Sequence, residues 1–186
     1  MDSDQELVEQ FVLSAHGDLV TVQDLHSHHP ELLNTKWEKF DENALEAAGH
    51  MGRRDIAGYL LENGAPMTIY SAAMLGKEDL VATFLRANPS LARTPGVHGF
   101  SVLYHAALSG KVEIAELLLA QGGDVGQDAA LHAATLGDHI AMATWLLGHG
   151  ANVNGLNFEG KTPLQIARER GLEDLAALLV EHGGTQ

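Results

Sequence analysis

The chain of 186 residues contains no cysteine. Disulfides and thiolate zinc sites are therefore excluded, and the usual marker of an oxidising compartment is missing. Positive charge is also scarce: 11 Lys and Arg stand against 25 Asp and Glu, giving a formal net charge of -14. That balance repels phosphate backbones, so nucleic acid is not an expected partner. No apolar run approaches the length of a bilayer-spanning helix, and no membrane partner is expected. The opening residues Met1-Asp2-Ser3-Asp4 are acidic and lack the basic and apolar regions of a secretory signal. A cytoplasmic location is the expectation. A G-x-S-x-G elbow, a cysteine nucleophile and a pair of carboxylates in an apolar pocket-forming run are all missing. No enzymatic activity is expected.

What the sequence does have is repetition. Glycine recurs at Gly17, Gly52, Gly76, Gly110 and Gly171, and the Gly137-Asp138 pair fills the same place between the last two. Each landmark closes one short apolar helix and opens another. A left-handed helix-ending position costs glycine little and costs a residue with a Cβ more. Around the landmarks the text itself recurs. Ala106-Ala107-Leu108-Ser109-Gly110 and Leu117-Leu118-Leu119 have counterparts in Ile166-Ala167, Gly171 and Leu178-Leu179. A period of this kind fixes the architecture before any residue is given a role. One helix pair cannot bury its own apolar faces, so the pairs must stack.

These units resemble the ankyrin repeat. Gly160-Lys161-Thr162-Pro163-Leu164 matches its opening turn, and Gly150-Ala151-Asn152-Val153-Asn154 matches its closing turn. Leu131-His132-Ala133-Ala134 and Asn63-Gly64-Ala65 are partial matches. The resemblance spans about residues 5 to 184 in six copies. It implies an all-α solenoid of stacked helix-turn-helix pairs, with β-turn fingers on some repeats. A single domain over 1–186 is expected, with repeats near 5–34, 35–65, 66–92, 93–124, 125–154 and 155–184.

The landmark spacings, taking Asp138 as the fifth, are 35, 24, 34, 28 and 33. Long and short units thus alternate. Full fingers are expected near 34–43, 93–101 and 151–162. Clipped loops are expected at Asn63 to Ile69 and through Gly122-Gly123-Asp124-Val125-Gly126. His29-Pro30-Glu31-Leu32 and Asn88-Pro89-Ser90-Leu91 lie 59 residues apart, with Thr35 and Thr94 in step. That suggests growth by copying a two-unit block.

Two local motifs compete with this architecture. Gly155-Leu156-Asn157-Phe158-Glu159-Gly160-Lys161-Thr162 satisfies the phosphate-loop pattern letter for letter. That chemistry needs a strand before the loop and free amide N–H groups after it. The preceding Gly148-His149-Gly150-Ala151 is no strand, and Pro163 removes a donor. The repeat's own turn explains the letters. Eleven histidines, notably His26, His28 and His29, invite a metal, but a site needs converging ligands. No metal or cofactor is expected. His132 takes the place of the family's T-P-L-H histidine, which bonds neighbouring turns, and Trp145 is expected in the core.

Arrays of this family bind along the concave side, with finger tips and the two residues before each glycine. By motif position those pairs are Ala15/His16, His50/Met51, Met74/Leu75, Leu108/Ser109, Leu136/Gly137 and Glu169/Arg170. Met51, Met74, Leu75, Leu108 and Leu136 then form an apolar row, and an exposed row of this kind marks an interaction site. The fingers add Trp37 and Phe40, His98 and Phe100, and Phe158, aromatic residues of the type that dominates hot spots. The expected partner-binding residues are therefore Trp37, Phe40, His50, Met51, Met74, Leu75, His98, Phe100, Leu108, Leu136 and Phe158. The alternative is that Met74 and Leu75 pack against their neighbours and the finger aromatics cover helix ends. Recognition of a protein or peptide by a monomer is the leading expectation. A regulator using the histidines for a metal or small ligand, and a self-associating scaffold or homodimer, remain the alternatives.

Overall fold

Helix starts are written plainly in the chain. Asn43, Thr68 and Thr162 each accept a hydrogen bond from the backbone N–H three residues on. The side chains of Glu46, Ser71 and Gln165 in turn accept one from the cap residue's own N–H, closing a capping box that satisfies two otherwise orphaned donors. Pro163, at the first helical position after Thr162, adds a φ already set for helix. The outer helices lack capping boxes, though Asp18 accepts from the Thr21 N–H, and four of the six carry acid in the first turn, Glu78-Asp79 and Glu173-Asp174 among them. Those carboxylates complement the helix dipole by about 0.3–1 kcal/mol each.

The computed structural model describes residues 3–124 and 128–185. Six helix pairs follow in order: α1 (Ser3–Ser14) and α2 (Leu19–His28), α3 (Ala44–His50) and α4 (Arg54–Glu62), α5 (Ile69–Met74) and α6 (Glu78–Ala87). Then come α7 (Val102–Ser109) and α8 (Val112–Ala120), α9 (Asp128–Leu136) and α10 (Ile140–Gly148), α11 (Pro163–Glu169) and α12 (Glu173–Glu181). Odd-numbered helices stack as an inner layer, and most even-numbered helices stack behind them. Among the described residues the sole β pairing is an isolated bridge between Trp37 and Glu42 in the first finger.

The turns between paired helices divide into three kinds. Gly52, Gly76, Gly110 and Gly171 are left-handed, with φ between 68° and 72°. In the fifth unit the left-handed residue is Asp138 (φ 52°), which settles the register there in favour of Asp138 over Gly137. Gly17 differs: its N–H donates to Ser14 O at 3.0 Å, and it stays out of the left-handed region.

Long and short connections alternate as the spacings require. The two segments 59 residues apart share a backbone form, since Pro30–Asn34 and Pro89–Arg93 are both short 3-10 helices. Thr35 and Thr94 close them alike, each hydroxyl donating to the carbonyl four residues back. Val125 and Gly126, part of the expected short stub after α8, lie outside the described residues.

Buried apolar residues fall into two clusters. One runs from Val8 through Ala65 and includes Met74; the other runs from Ile69 to Leu179. Leu108 packs against both. Trp145 is half-buried against the second cluster and stacks on His149 at 4.0 Å.

Candidate functional site

Side chains from four different units meet on the inner layer. Met51, Leu108, Leu136 and Phe158, with Tyr104 and His50, line a groove of about 540 Å³. Met51 is 50%, Leu136 45% and Phe158 88% exposed, so this is apolar surface rather than core. A hollow of about 150 Å³ continues it between Phe100, Tyr104, Leu136 and Phe158. The far end is charged, where Lys161 Nζ bridges Glu169 Oε2 at 2.7 Å and Glu159 Oε2 at 3.5 Å. That same lysine belongs to the phosphate-loop letters, and its pairing with two carboxylates leaves it poorly placed to meet a phosphate. The Arg170 guanidinium donates to Leu136 O, and His132 Nε2 lies 3.1 Å from Lys161 O. The latter bond ties one inner helix to the next turn, as expected of the T-P-L-H position.

The expected row is broken at α5. Met74 is fully buried, and Leu75 is half-buried against the N-terminal cluster. Neither lines the groove, which corrects their assignment as exposed binding residues. The neighbours account for this, since α3 and α7 meet over α5. The Tyr104 hydroxyl donates to His50 O at 2.8 Å, and the Arg54 guanidinium donates to Ser109 O at 3.4 Å. Leu108 sits so close to Gly52 that a Cβ there would lie 3.4 Å from Leu108 Cδ2. Burial pushes the Tyr104 phenol up to about 12, so it remains a donor at any physiological pH. Sequence reasoning missed Tyr104, although the signal was present: an aromatic residue stands where the family pattern has histidine.

The first two fingers fold onto each other rather than projecting. Trp37 is buried, which corrects its expected exposure. Its ring lies edge-on to Phe40 (4.8 Å), Phe40 meets His98 (5.5 Å), and His98 meets His50 (5.3 Å). His50 stacks on Phe100 (5.5 Å), and Phe100 stacks on Tyr104 (4.2 Å). His50 is itself 7% exposed, so it is a wall residue and not a projecting contact. Phe40 (44% exposed) and Phe158 are open to solvent, as is the outer side of His98, whereas Phe100 is half-buried.

Beneath these rings lies a polar cluster. The Glu42 carboxylate is 1% exposed, with Oε1 3.1 Å from His50 Nδ1 and Oε2 3.4 Å from His98 Nε2. The His16 ring is 5.0 Å from that of His50. Burial alone pushes the Glu42 carboxyl up, but the imidazoles of His50, His98 and His16 outweigh it and hold the group below the usual range. By contrast, His26, His28 and His29 do not converge. His26 Nδ1 pairs with the Tyr59 hydroxyl (2.8 Å), His28 Nδ1 with Asp24 O (2.9 Å) and His29 Nδ1 with Glu31 Oε1 (3.2 Å).

Comparison with known proteins agrees with the stacked pairs. Residues 98–129 match the ankyrin repeat family, and residues 124–186 match a family described as ankyrin repeats in three copies. The chain is an ankyrin-repeat protein. Among similar proteins, the nuclear factor NF-kappa-B p105 subunit of Mus musculus is 32% identical over 133 residues, 67% of this chain and 14% of that protein. An ankyrin repeat protein of Escherichia coli, YahD, is 36% identical over 115 residues, 56% of this chain and 57% of that one. An ankyrin repeat-containing protein of Treponema pallidum is 34% identical over 134 residues, 67% of this chain and 44% of its own length. Each shared ankyrin region is thus only part of the relative. Ankyrin repeats are in general modules for protein–protein interaction and are typically non-catalytic. No helix among the described residues is long and apolar enough to cross a membrane.

Proposed function

We propose that this ankyrin array is a cytoplasmic, non-catalytic recognition module that binds a protein or peptide in the groove between Met51, Leu108, Leu136 and Phe158. The observation that carries this reading is convergence: four apolar side chains from four units line one groove, and three of them stand at least 45% exposed. Contiguous exposed apolar surface of this kind is unusual on a protein that has nothing to bind. Phe158, at the tip of the third finger, supplies a large anchor with few rotamers to freeze. The ligand that fits is an extended or helical segment presenting an apolar side chain to Leu136 and Phe158, with polar groups towards Glu159, Lys161 and Arg170. Burial would contribute roughly 25 cal/mol per Å² of apolar area, less the costs of association.

The test is capture of a partner by the purified protein, run beside Leu136→Glu and Phe158→Glu variants. Both side chains are exposed, so helical circular dichroism should be unchanged. Partner affinity should drop at least about tenfold in each, the equivalent of roughly 1.4 kcal/mol. Full affinity in both folded variants would place the contact elsewhere. Concentration-dependent mass in light scattering, abolished by the same variants, would mean that the partner is a second copy.

A further inference from the structure

We propose that His16, Glu42 and His50 form a binding site for one divalent transition-metal ion of the zinc class. One donor atom from each residue lies within 4.8 Å of the other two, and among the described residues no other such group of histidine and acidic side chains occurs. Tetrahedral zinc, with bonds of about 2.0–2.2 Å, holds its ligand atoms roughly 3.3 Å apart. His50 Nδ1 and Glu42 Oε1, at 3.1 Å, already have that span. His16, half-buried just beyond the end of α1, completes the group from within that 4.8 Å bound.

Three features point to an ion rather than a plain ion pair. First, Glu42 Oε1 and His50 Nδ1 are both buried and face each other at 3.1 Å without the alignment of a good hydrogen bond, and neither has another hydrogen-bond partner. Buried polar atoms left in that state are rare, and a cation between them would satisfy both. Second, His16 Nδ1 is 3.0 Å from Val12 O. A ring nitrogen that gives its proton to a carbonyl leaves the other with a lone pair, as in metal-binding histidines. Third, the carboxylate is held from outside. His98 Nε2 stands 3.4 Å from the second oxygen, Oε2, while the backbone of Glu42 is fixed separately, its carbonyl accepting from the Trp37 backbone N–H at 2.8 Å. Two imidazoles and one carboxylate suit zinc, nickel or copper, whereas calcium and magnesium prefer all-oxygen shells. Three protein ligands leave a fourth position for water or a group from a partner. The ion would tie α1, the first finger and α3 together.

The experiment uses the full chain without a histidine tag, stripped with chelator and titrated with zinc by calorimetry and with cobalt(II) by visible absorption. One equivalent should bind, and cobalt should give the intense absorption of a four-coordinate site. His16→Ala and Glu42→Gln, checked for helical circular dichroism, should lose this binding, and His98→Ala should weaken it about 10–100-fold. A His26→Ala/His28→Ala/His29→Ala variant should bind as the parent does. The unfolding midpoint of the parent, but not of His16→Ala, should rise on adding zinc. The proposal is overturned if the parent binds no more tightly than His16→Ala, or if the triple variant abolishes the bound equivalent. Because the readout is metal binding, failure here leaves the groove reading untouched.

Discussion

Met74 and Leu136 occupy the same place in their repeats, two residues before the left-handed turn residue, yet one is fully buried and the other 45% exposed. Their local sequences do not explain the difference. The neighbours do. Above α5, Tyr104 reaches across to His50 O, so the second and fourth units close over the third. Above α9, the equivalent of Tyr104 is Gln165, whose side chain is spent locally on the Thr162 N–H at 2.8 Å. No bridge forms there, and the inner layer stays open as the groove. Burial in a repeat array is thus set by which long side chains the next units carry, and repeat position alone does not decide it.

The largest effect that would break this contrast comes from charge. Met74→Glu should abolish the cooperative unfolding transition at ordinary temperature, since an unpaired buried carboxylate costs more than about 4 kcal/mol. Leu136→Glu should leave the denaturation midpoint within about 0.5 kcal/mol of the parent. A folded Met74→Glu protein would show that α5 is not covered.

A second effect, of intermediate size, depends on pH. His105 lies under Tyr104, 4% exposed, and burial pushes its imidazole down to about 4 despite the contact of Nδ1 with Ser101 O. The folded chain therefore keeps it neutral while the unfolded chain protonates it near 6.5. That stability is complete above pH 6.5 and is lost as pH falls towards 4, by up to roughly 3 kcal/mol. His105→Asn should flatten the urea midpoint across this window. Glu42, also lowered, acts in the same direction but in a lower window, beneath its ordinary 4.5. A midpoint independent of pH between 7 and 4.5 in the parent would mean that the His105 pocket admits water.

The smallest effect sharpens the contrast at its source. Tyr104→Phe keeps the ring but strands the His50 carbonyl, and should cost about 1–2 kcal/mol in chemical denaturation. Gln165→Ala, on the open side, should cost only the few tenths to 1 kcal/mol of a capping contact. Equal losses would remove Tyr104 as the distinguishing residue.

Much of this was legible beforehand. The glycine landmarks and the Thr162-Pro163-Leu164 turn gave the helix pairs, because capping and left-handed turns are local chemistry. Met51, Leu108 and Leu136 were likewise placed in one row from motif position, and Phe158 was expected on a finger. Met74, Leu75 and Trp37 were misplaced, since their burial is decided by units two steps away and by fingers that fold inward. Glu42 was not singled out at all. A carboxylate in a loop looks solvated until His16, His50 and His98, from three separate segments, are brought against it.

The Tyr104–His50 bridge also bears on how the molecule would respond to being pulled. An array whose units touch only their immediate neighbours extends like a coil spring, opening one interface at a time. Here the second and fourth coils are pinned to each other, so three interfaces must give way in a single event. Tension applied to the two ends would peel the terminal helix pairs first and leave the braced middle as the last and stiffest segment.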